Sequence, residues 1–460
     1  MAEPRVGRKG IVRTYMLLSG LYTLAASLIW GVNTLFLLDA GLSIGEVFLV
    51  NAVFSGGMVL FEIPTGVVAD TLGRRVSYLL SIAVLGVTTV FYLLLAESGG
   101  SVLLFAVVSA FMGLGFTFYS GALEAWLVDA LTSIDEASGL DHVFARSQQV
   151  TGGAMLIGTA SGGFLGQIDL AVPFVLRSAL LAVLFIISSR LMRELGFVPK
   201  ELRWSDVPRQ MKEQGRTGIA YGWNKPGLRA LMLSGMARLT FIGWAFYAAQ
   251  PYFLELLDRN AVWVVGVITA LMSLSMIAGN QLVELLSRAC GRRSTLLLWA
   301  SAVSSVAAVV VGLTDSFWVA VPAFLLVTGA LGVITPVRQA YLHTAIPSEH
   351  RATVISFDAM VGSVGGVGGT LGLGRLADTR SFSAGYVVGG IVTAAALPAL
   401  YVVRRVGGEA DIIAGDEAVV VERACAAEGL PANTQVESLP VPVAALLSTN
   451  ESTTNPRDQT

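Results

Sequence analysis

The sequence predicts an all-α membrane protein of twelve transmembrane helices, arranged as two pseudo-symmetric six-helix bundles. Three observations predict it. With 54% of its 460 residues hydrophobic, 13% charged and a mean hydropathy of +0.70, the chain carries more apolar surface than one water-soluble core can bury. Lipid must therefore be part of its solvent. Apolar stretches of roughly 20 residues, enough to cross a hydrocarbon layer about 30 Å thick as a helix, recur twelve times. Finally, LGRRVSYLL at 72–80 and CGRRSTLLL at 290–298 follow the second and eighth of these stretches, which puts Gly73 and Gly291 218 residues apart and marks a duplicated six-helix unit.

After a cytoplasmic N-terminus, 1–12, the first span covers 13–38 and is read as a retained helix. Its apolar run is too long for a signal-peptide core and no convincing small-residue cleavage site follows. The second span, 45–68, carries Glu62 and runs into FEIPTGVVADTLGRR at 61–75; the third is 76–97. The fourth, 101–126, carries Tyr119 and Glu124, with Asp129 just beyond it. The fifth, 147–168, concentrates Gly153, Gly158, Gly162, Gly163 and Gly166. Small residues so spaced let helix backbones touch in lipid, where no hydrophobic force drives helices together. The sixth, 172–192, closes the first bundle (13–192) and holds Arg177, whose long stem is expected to carry its charge toward the outer membrane surface.

Residues 193–227, with Pro199, Pro208, Pro226 and several basic residues, form the longest polar interruption and are expected to be a cytoplasmic central loop. The second bundle, 228–404, comprises 228–254, 261–284, 294–314, 317–339, 352–376 and 383–404. Its eleventh span repeats the glycine enrichment of the fifth, with seven glycines from Gly362 to Gly374. From 405 to 460 the composition turns to Ala, Glu, Ser, Thr, Asn and Pro without periodicity, and a disordered cytoplasmic tail is expected.

Charge distribution orients the chain. Of 30 Lys and Arg, 25 fall in segments that are cytoplasmic if the N-terminus is; Arg177 and Arg238 lie inside spans, and Arg259, Arg375 and Arg380 fall outside. Both termini are thus expected in the cytoplasm of a multi-pass protein of the cell inner (plasma) membrane. Arginine outnumbers lysine 26 to 4, which points to a GC-rich bacterial genome. Cys290 and Cys425 both fall on the cytoplasmic side, so no structural disulfide is expected. His142, His343 and His350 have no metal-ligand spacing, and no nucleotide-binding G-x-x-x-x-G-K-[ST] is present. No metal, cofactor, enzymatic activity or nucleic-acid partner is expected, and energy should come from an ion gradient.

The turn FEIPTGVVADTLGRR resembles the G-x-x-x-D-x-x-G-R-R signature of the major facilitator superfamily, which lies between its second and third helices. In that family the cluster locks the cytoplasmic face of the outward-open state. The resemblance, covering about 11–404, implies the major facilitator fold and a cytoplasmic gate of Gly66, Asp70, Gly73, Arg74, Arg75 and Asp129. IGTASGGFLG at 157–166 and PVRQAYLHTAIPSEHRATVISFDAM at 336–360 are similar to stretches of the drug:proton antiporter (multidrug exporter) branch, although Gly163 stands where that branch has proline. Ser109 stands where it has an arginine. Ser348 is expected to cap the eleventh helix at a start facing Asp70.

Ionisable groups inside a bilayer are costly, about 2.5–3.5 kcal/mol on insertion scales, and so mark candidate working positions. Arg238 lies about ten residues into the seventh span. Glu62, Glu124 and Asp358 are candidate proton-coupling acids, Glu62 foremost as the one expected to be most deeply embedded. Trp30, Asn33, Tyr119, Arg238, Trp244, Tyr247, Gln250 and Met276 are candidates for lining a central cavity. The expectation is a monomeric secondary transporter working by alternating access, exporting a hydrophobic or amphipathic small molecule, a drug or natural product, in exchange for protons. Uptake or facilitated diffusion of a metabolite such as a sugar, and a non-transporting membrane receptor, are the alternatives.

Overall fold

Helices that sit in lipid need no partner to bury their apolar faces, so the fold is set by where backbones can approach and where chain polarity forces a turn. The computed structural model describes residues 7–136, 138–199 and 207–413; Cys425 and residues 414–460 lie outside them. The first span is broken into α1 (Arg8–Ser27) and α2 (Asn33–Asp39), followed by α3 (Ile44–Leu72) and α4 (Arg74–Ser98). The fourth is α5 (Val102–Tyr119) with α6 (Ala122–Thr132), bent at Gly121; α7 (Leu140–Ile168) and α8 (Val172–Leu191) complete the first bundle. A linker helix α9 (Val207–Gly218) precedes α10 (Pro226–Leu257). The second bundle continues through α11 (Val262–Gln281) with α12 (Val283–Cys290), α13 (Arg293–Leu313), α14 (Phe317–Ala345), α15 (Arg351–Thr379), and α16 (Phe382–Ala394) with α17 (Ala396–Val406).

Ten of these spans are long and apolar enough to cross a membrane; the other two, α1–α2 and α7, carry Arg8, Lys9 and Arg13, and Asp141, His142 and Arg146, in their opening turns. Local chemistry sets the ends. Ser43 and Glu46 form a capping box at the start of α3, the serine hydroxyl accepting from the Glu46 N–H while the Glu46 carboxylate accepts from the Ser43 N–H at 2.8 Å. Gly73, at φ +107°, joins α3 directly to α4, a conformation that excludes a side chain.

Two sequence boundaries move. The tenth span runs to Ala345, not 339, with Pro322 and Pro336 inside the helix. Arg338, near the end of that span, turns inward and pairs with Asp358 of α15. The expected tail also starts later, since residues 407–413 fold back against the start of α13, with Asp411 only 2% exposed.

Within the second bundle, α15 glycines pack on α10: a Cβ on Gly365 or Gly369 would clash with the Met236 or Thr240 carbonyl. Between bundles the contact is at one end. Call the face bearing the described N-terminus and residues 70–75 the near face, and the opposite one the far face. At the far face a Cβ on Gly163 of α7 would lie 2.5 Å from the Gly266 Cα of α11, and one on Gly45 of α3 would lie 2.9 Å from a carboxylate oxygen of Asp378 on α15. Among the described residues, all side-chain hydrogen bonds from bundle to bundle are here. Gln167 donates to the Asn260 carbonyl at 3.2 Å, and Gln250 is bonded to the first span at both ends of its amide. Toward the near face Gly66 has open space where a Cβ would be, and Glu62 and Glu124 are exposed. The bundles are sealed at the far face and part toward the near one.

If the Gly163–Gly266 contact closes the far face, Gly163→Val should open it. In a chain lacking its native cysteines, Thr269→Cys, buried behind the seam, should resist a membrane-impermeant thiol reagent and become reactive once Gly163→Val is added. Equal protection in both would show that the seam does not depend on this contact.

Candidate functional site

The charged turn between α3 and α4 is assembled from four stretches of chain. Arg74 pairs with Asp70 at 2.6 Å and with Asp129 of α6 at 3.5 Å, and its guanidinium lies 6.0 Å from the centre of the Phe197 ring. Arg75 donates from its side chain to the Ser189 carbonyl at 2.8 Å and from its backbone N–H to the Glu194 carboxylate at 2.9 Å. The segment carrying Glu194 is held in place by Trp126, whose indole N–H donates to the Arg193 carbonyl at 2.6 Å. The structure thus brings Asp70, Gly73, Arg74, Arg75 and Asp129 together as expected, and adds Glu194 and Phe197. Gly66 takes no part in a close contact in this conformation.

The start of α13 repeats the design. Asp411 accepts from the Ser294 N–H at 2.7 Å and from its hydroxyl at 2.8 Å, and Arg293 donates to the Ala410 carbonyl at 2.8 Å. In each half an acid just past the last helix of the bundle supplies the missing N-cap of the third helix. The expected cap at Ser348 is not formed: Ser348 opens a single 3₁₀ turn, and α15 begins at Arg351 after His350 with no side-chain cap. That turn is instead tied to the linker, where Tyr221 stacks on His350 at 3.7 Å.

The acids rank differently from the sequence expectation. Asp358, 6% exposed, is the most buried, gripped by both terminal nitrogens of Arg338 with one contact of 2.8 Å. Depth along a helix misjudged this, because burial depends on which side of the helix faces protein. Glu62 is exposed and accepts from the Ser120 hydroxyl at 3.4 Å; Glu124 is exposed.

The cavity candidates divide. Trp30, Tyr119 and Tyr247 are half-buried, and Tyr119 stacks on Tyr22 at 3.7 Å. Met276 is exposed, and Asn33 donates to Asn51 at 3.1 Å. Three are placed elsewhere. Trp244 is fully buried in the second bundle against Gly385 and Tyr386. Gln250 belongs to the far-face seal, and Arg238 points among α10, α13, α14 and α17 beside Arg338.

Arg177 does not snorkel. It is 1% exposed inside the first bundle, 6.0 Å from the Phe116 ring centre, and none of its three guanidinium nitrogens has a hydrogen-bond partner among the described residues. Ser109 is buried beside Tyr92, which also lies in the field of Arg177, and donates to the Val50 carbonyl at 3.0 Å.

The sequence profile of the Major Facilitator Superfamily matches residues 15–260 and 239–448. Over 143 residues, 31% of this chain and only 33% of the relative, the sequence is 29% identical to the class E tetracycline resistance protein of Escherichia coli. Among solved structures, the nucleoside transporter NupG superposes with a TM-score of 0.71 at 11% identity, covering 86% of this chain and 99% of that one. A D-xylose-proton symporter superposes with 0.63 at 14% identity over 87% and 98%. These likenesses to solved structures bear on the fold.

Burial pushes the Glu194 carboxyl above the usual range, outweighing the Arg75 N–H and the nearby Arg74 and Arg75 charges. A native state that holds this proton more tightly than the unfolded chain loses stability as pH rises through the raised value. Between about pH 4 and about pH 8 the unmodified protein should lose thermal stability relative to Glu194→Gln, starting near the ordinary carboxylate pKa. A difference that is flat or of opposite sign refutes this. Asp411→Ala, which strands a buried N–H and hydroxyl, should cost about 1–3 kcal/mol in the same unfolding measurement.

Proposed function

The chain belongs to the Major Facilitator Superfamily, and from that membership we propose that this transporter is a proton-coupled exporter of a hydrophobic or amphipathic small molecule. The observation that carries the export reading is the sequence likeness to a tetracycline resistance protein, together with the exporter-like stretches at 157–166 and 336–360. The arginine asymmetry supports a plasma-membrane orientation with the near face and both termini in the cytoplasm. In that orientation the sealed far face is external and the parted bundles open inward, the state in which an exporter loads.

In this reading Asp70, Arg74 and Asp129 form the gate, joined by Arg75, Glu194 and Phe197. Gly66 is the smooth position on which α15 lands when the near face closes. Glu62 carries the proton: it is reachable, and among the described residues it bonds only the Ser120 hydroxyl and no cation fixes its charge. Asp358, clamped by Arg338, is a structural acid. Arg177 supports proton coupling too, since it places a buried cation in the first bundle near Ser109, where the exporter branch has its arginine. Trp30, Tyr119 and Tyr247 remain as the cavity aromatics.

Inverted vesicles containing the protein, tested with a panel of dyes and antibiotics with and without an imposed pH gradient, examine the whole reading. Uphill accumulation should require the gradient, and Glu62→Gln should abolish it while sparing substrate binding and exchange. Asp358→Asn should instead lower stability, by roughly 3–5 kcal/mol for breaking a buried pair. Accumulation by Glu62→Gln in response to the gradient rules Glu62 out, and Glu124→Gln is then the next variant. Transport indifferent to protonophores replaces export with facilitated diffusion.

A further inference from the structure

Between the bundles the chain runs through the linker helix α9 and a π turn, Ile219–Trp223, before α10 begins at Pro226. From 207 to 229 it carries Arg209, Lys212, Arg216, Lys225 and Arg229, all exposed, against the single carboxylate of Glu213. Arg209, Lys212 and Arg216 recur at i, i+3 and i+7, which puts them on one side of α9 in a stripe about 10 Å long. No described acid forms an ion pair with any of the three. The stripe borders a concavity of about 430 Å³, whose wall also includes Glu213, Thr217, Ala220 and Tyr221.

The fold sets this stripe at the membrane surface. Gly218 and Gly222, which follow it, seat directly on Phe357 and Val354, residues of the first two turns of α15 that lie within its membrane-crossing stretch, Thr353–Thr379. The end of α9 is therefore held where α15 enters the hydrocarbon. Ile219 and Tyr221, 48% and 40% exposed, belong to the same turn, and Tyr221 stacks on His350 just ahead of α15. Exposed apolar and aromatic side chains beside unpaired cations suit the boundary between water and lipid. Because α9 also touches α3, the stripe sits beside the line along which the two bundles part.

We propose that Arg209, Lys212 and Arg216 form a binding site for the phosphate-bearing headgroup of an anionic phospholipid. A phosphodiester offers acceptor oxygens to neighbouring cations at once, to arginine as a fork and to lysine as a point charge. The concavity receives the headgroup, and the lipid chains run past Ile219 and Tyr221 into the bilayer. A zwitterionic lipid brings a cation of its own and gains little from a face with one carboxylate. The bound lipid holds α9 against the membrane beside the entry of α15. This assignment needs the near face to be a membrane surface and is independent of the direction of transport and of the cargo.

The test uses the full-length chain without its native cysteines, carrying Ala220→Cys labelled with a small fluorophore, in nanodiscs of phosphatidylcholine with a rising share of phosphatidylglycerol. Quenching by acrylamide, a neutral probe, should fall saturably as phosphatidylglycerol is added. Arg209→Gln, Lys212→Gln and Arg216→Gln should each weaken the apparent lipid affinity about fivefold, and the triple variant should show no protection. Lys212→Arg should keep it, and Glu213→Gln should strengthen it. The site is refuted by equal protection in pure phosphatidylcholine, or by protection undiminished in the triple variant. Inorganic phosphate that protects the label equally in phosphatidylcholine discs would make this a site for a soluble anion and overturn the lipid assignment.

Discussion

Lipid gives helices no reason to associate, and this protein answers with bare backbone contact. Where Gly163 meets Gly266, and Gly365 and Gly369 meet the carbonyls of α10, the chain has removed side chains so that peptide groups touch. Dispersion falls off steeply with distance, so such a contact is strong when made and negligible when opened by a few ångströms. The seam at the far face can therefore be tight without being permanent. The same economy explains why the fifth and eleventh helices are the glycine-rich ones: each lies on a surface that must pack closely, α7 against α11 of the other bundle and α15 against α10 of its own.

Charge provides what glycine cannot, which is direction. At the near face Arg74 joins the end of α3 to the end of α6, and Glu194 and Asp411 reach back from the exits of their bundles to cap α4 and α13. The two caps lie 217 residues apart, one fewer than the glycine pair, as expected of a duplicated unit that has drifted by a residue at its edge. The drift is chemically legible. In the first half the aspartate before the turn, Asp70, pairs with Arg74; in the second the matching residue is Arg288, which pairs with Glu284 on the surface. With no aspartate before its turn, the second half leans on Asp411, and that acid is buried with two bonds where Glu194 is half-exposed with one.

The spans, the duplication and the charged turn were legible because each is written in composition or spacing over a short window. What escaped depends on rotation about a helix axis and on chain folded back from elsewhere. Arg338 counts with the cytoplasmic arginines because it falls at the end of the tenth span, and only the fold shows that it turns inward to Asp358. Arg177 read as a snorkelling residue because its depth was visible and its facing was not. Glu62 and Asp358 exchanged their order of burial for the same reason. Glu194 and Asp411 sit in stretches with no periodicity at all, and only the fold reveals which helix end they serve. Gln250 gave no signal beyond being polar in an apolar run.

Gln250 has a further consequence. The first span is interrupted at 28–32, and the bond that an unbroken helix would make from the Thr34 N–H to the Trp30 carbonyl is replaced by the side chain of a residue in the other bundle. Its oxygen accepts from Thr34 at 2.7 Å and its nitrogen donates to Trp30 at 2.8 Å. Opening the far face would withdraw this splint and free both groups together, one helical turn apart. They satisfy each other only if the break heals. An opening of the far face would thus change the straightness of the first span, and deuterium uptake at the Thr34 amide would count such openings.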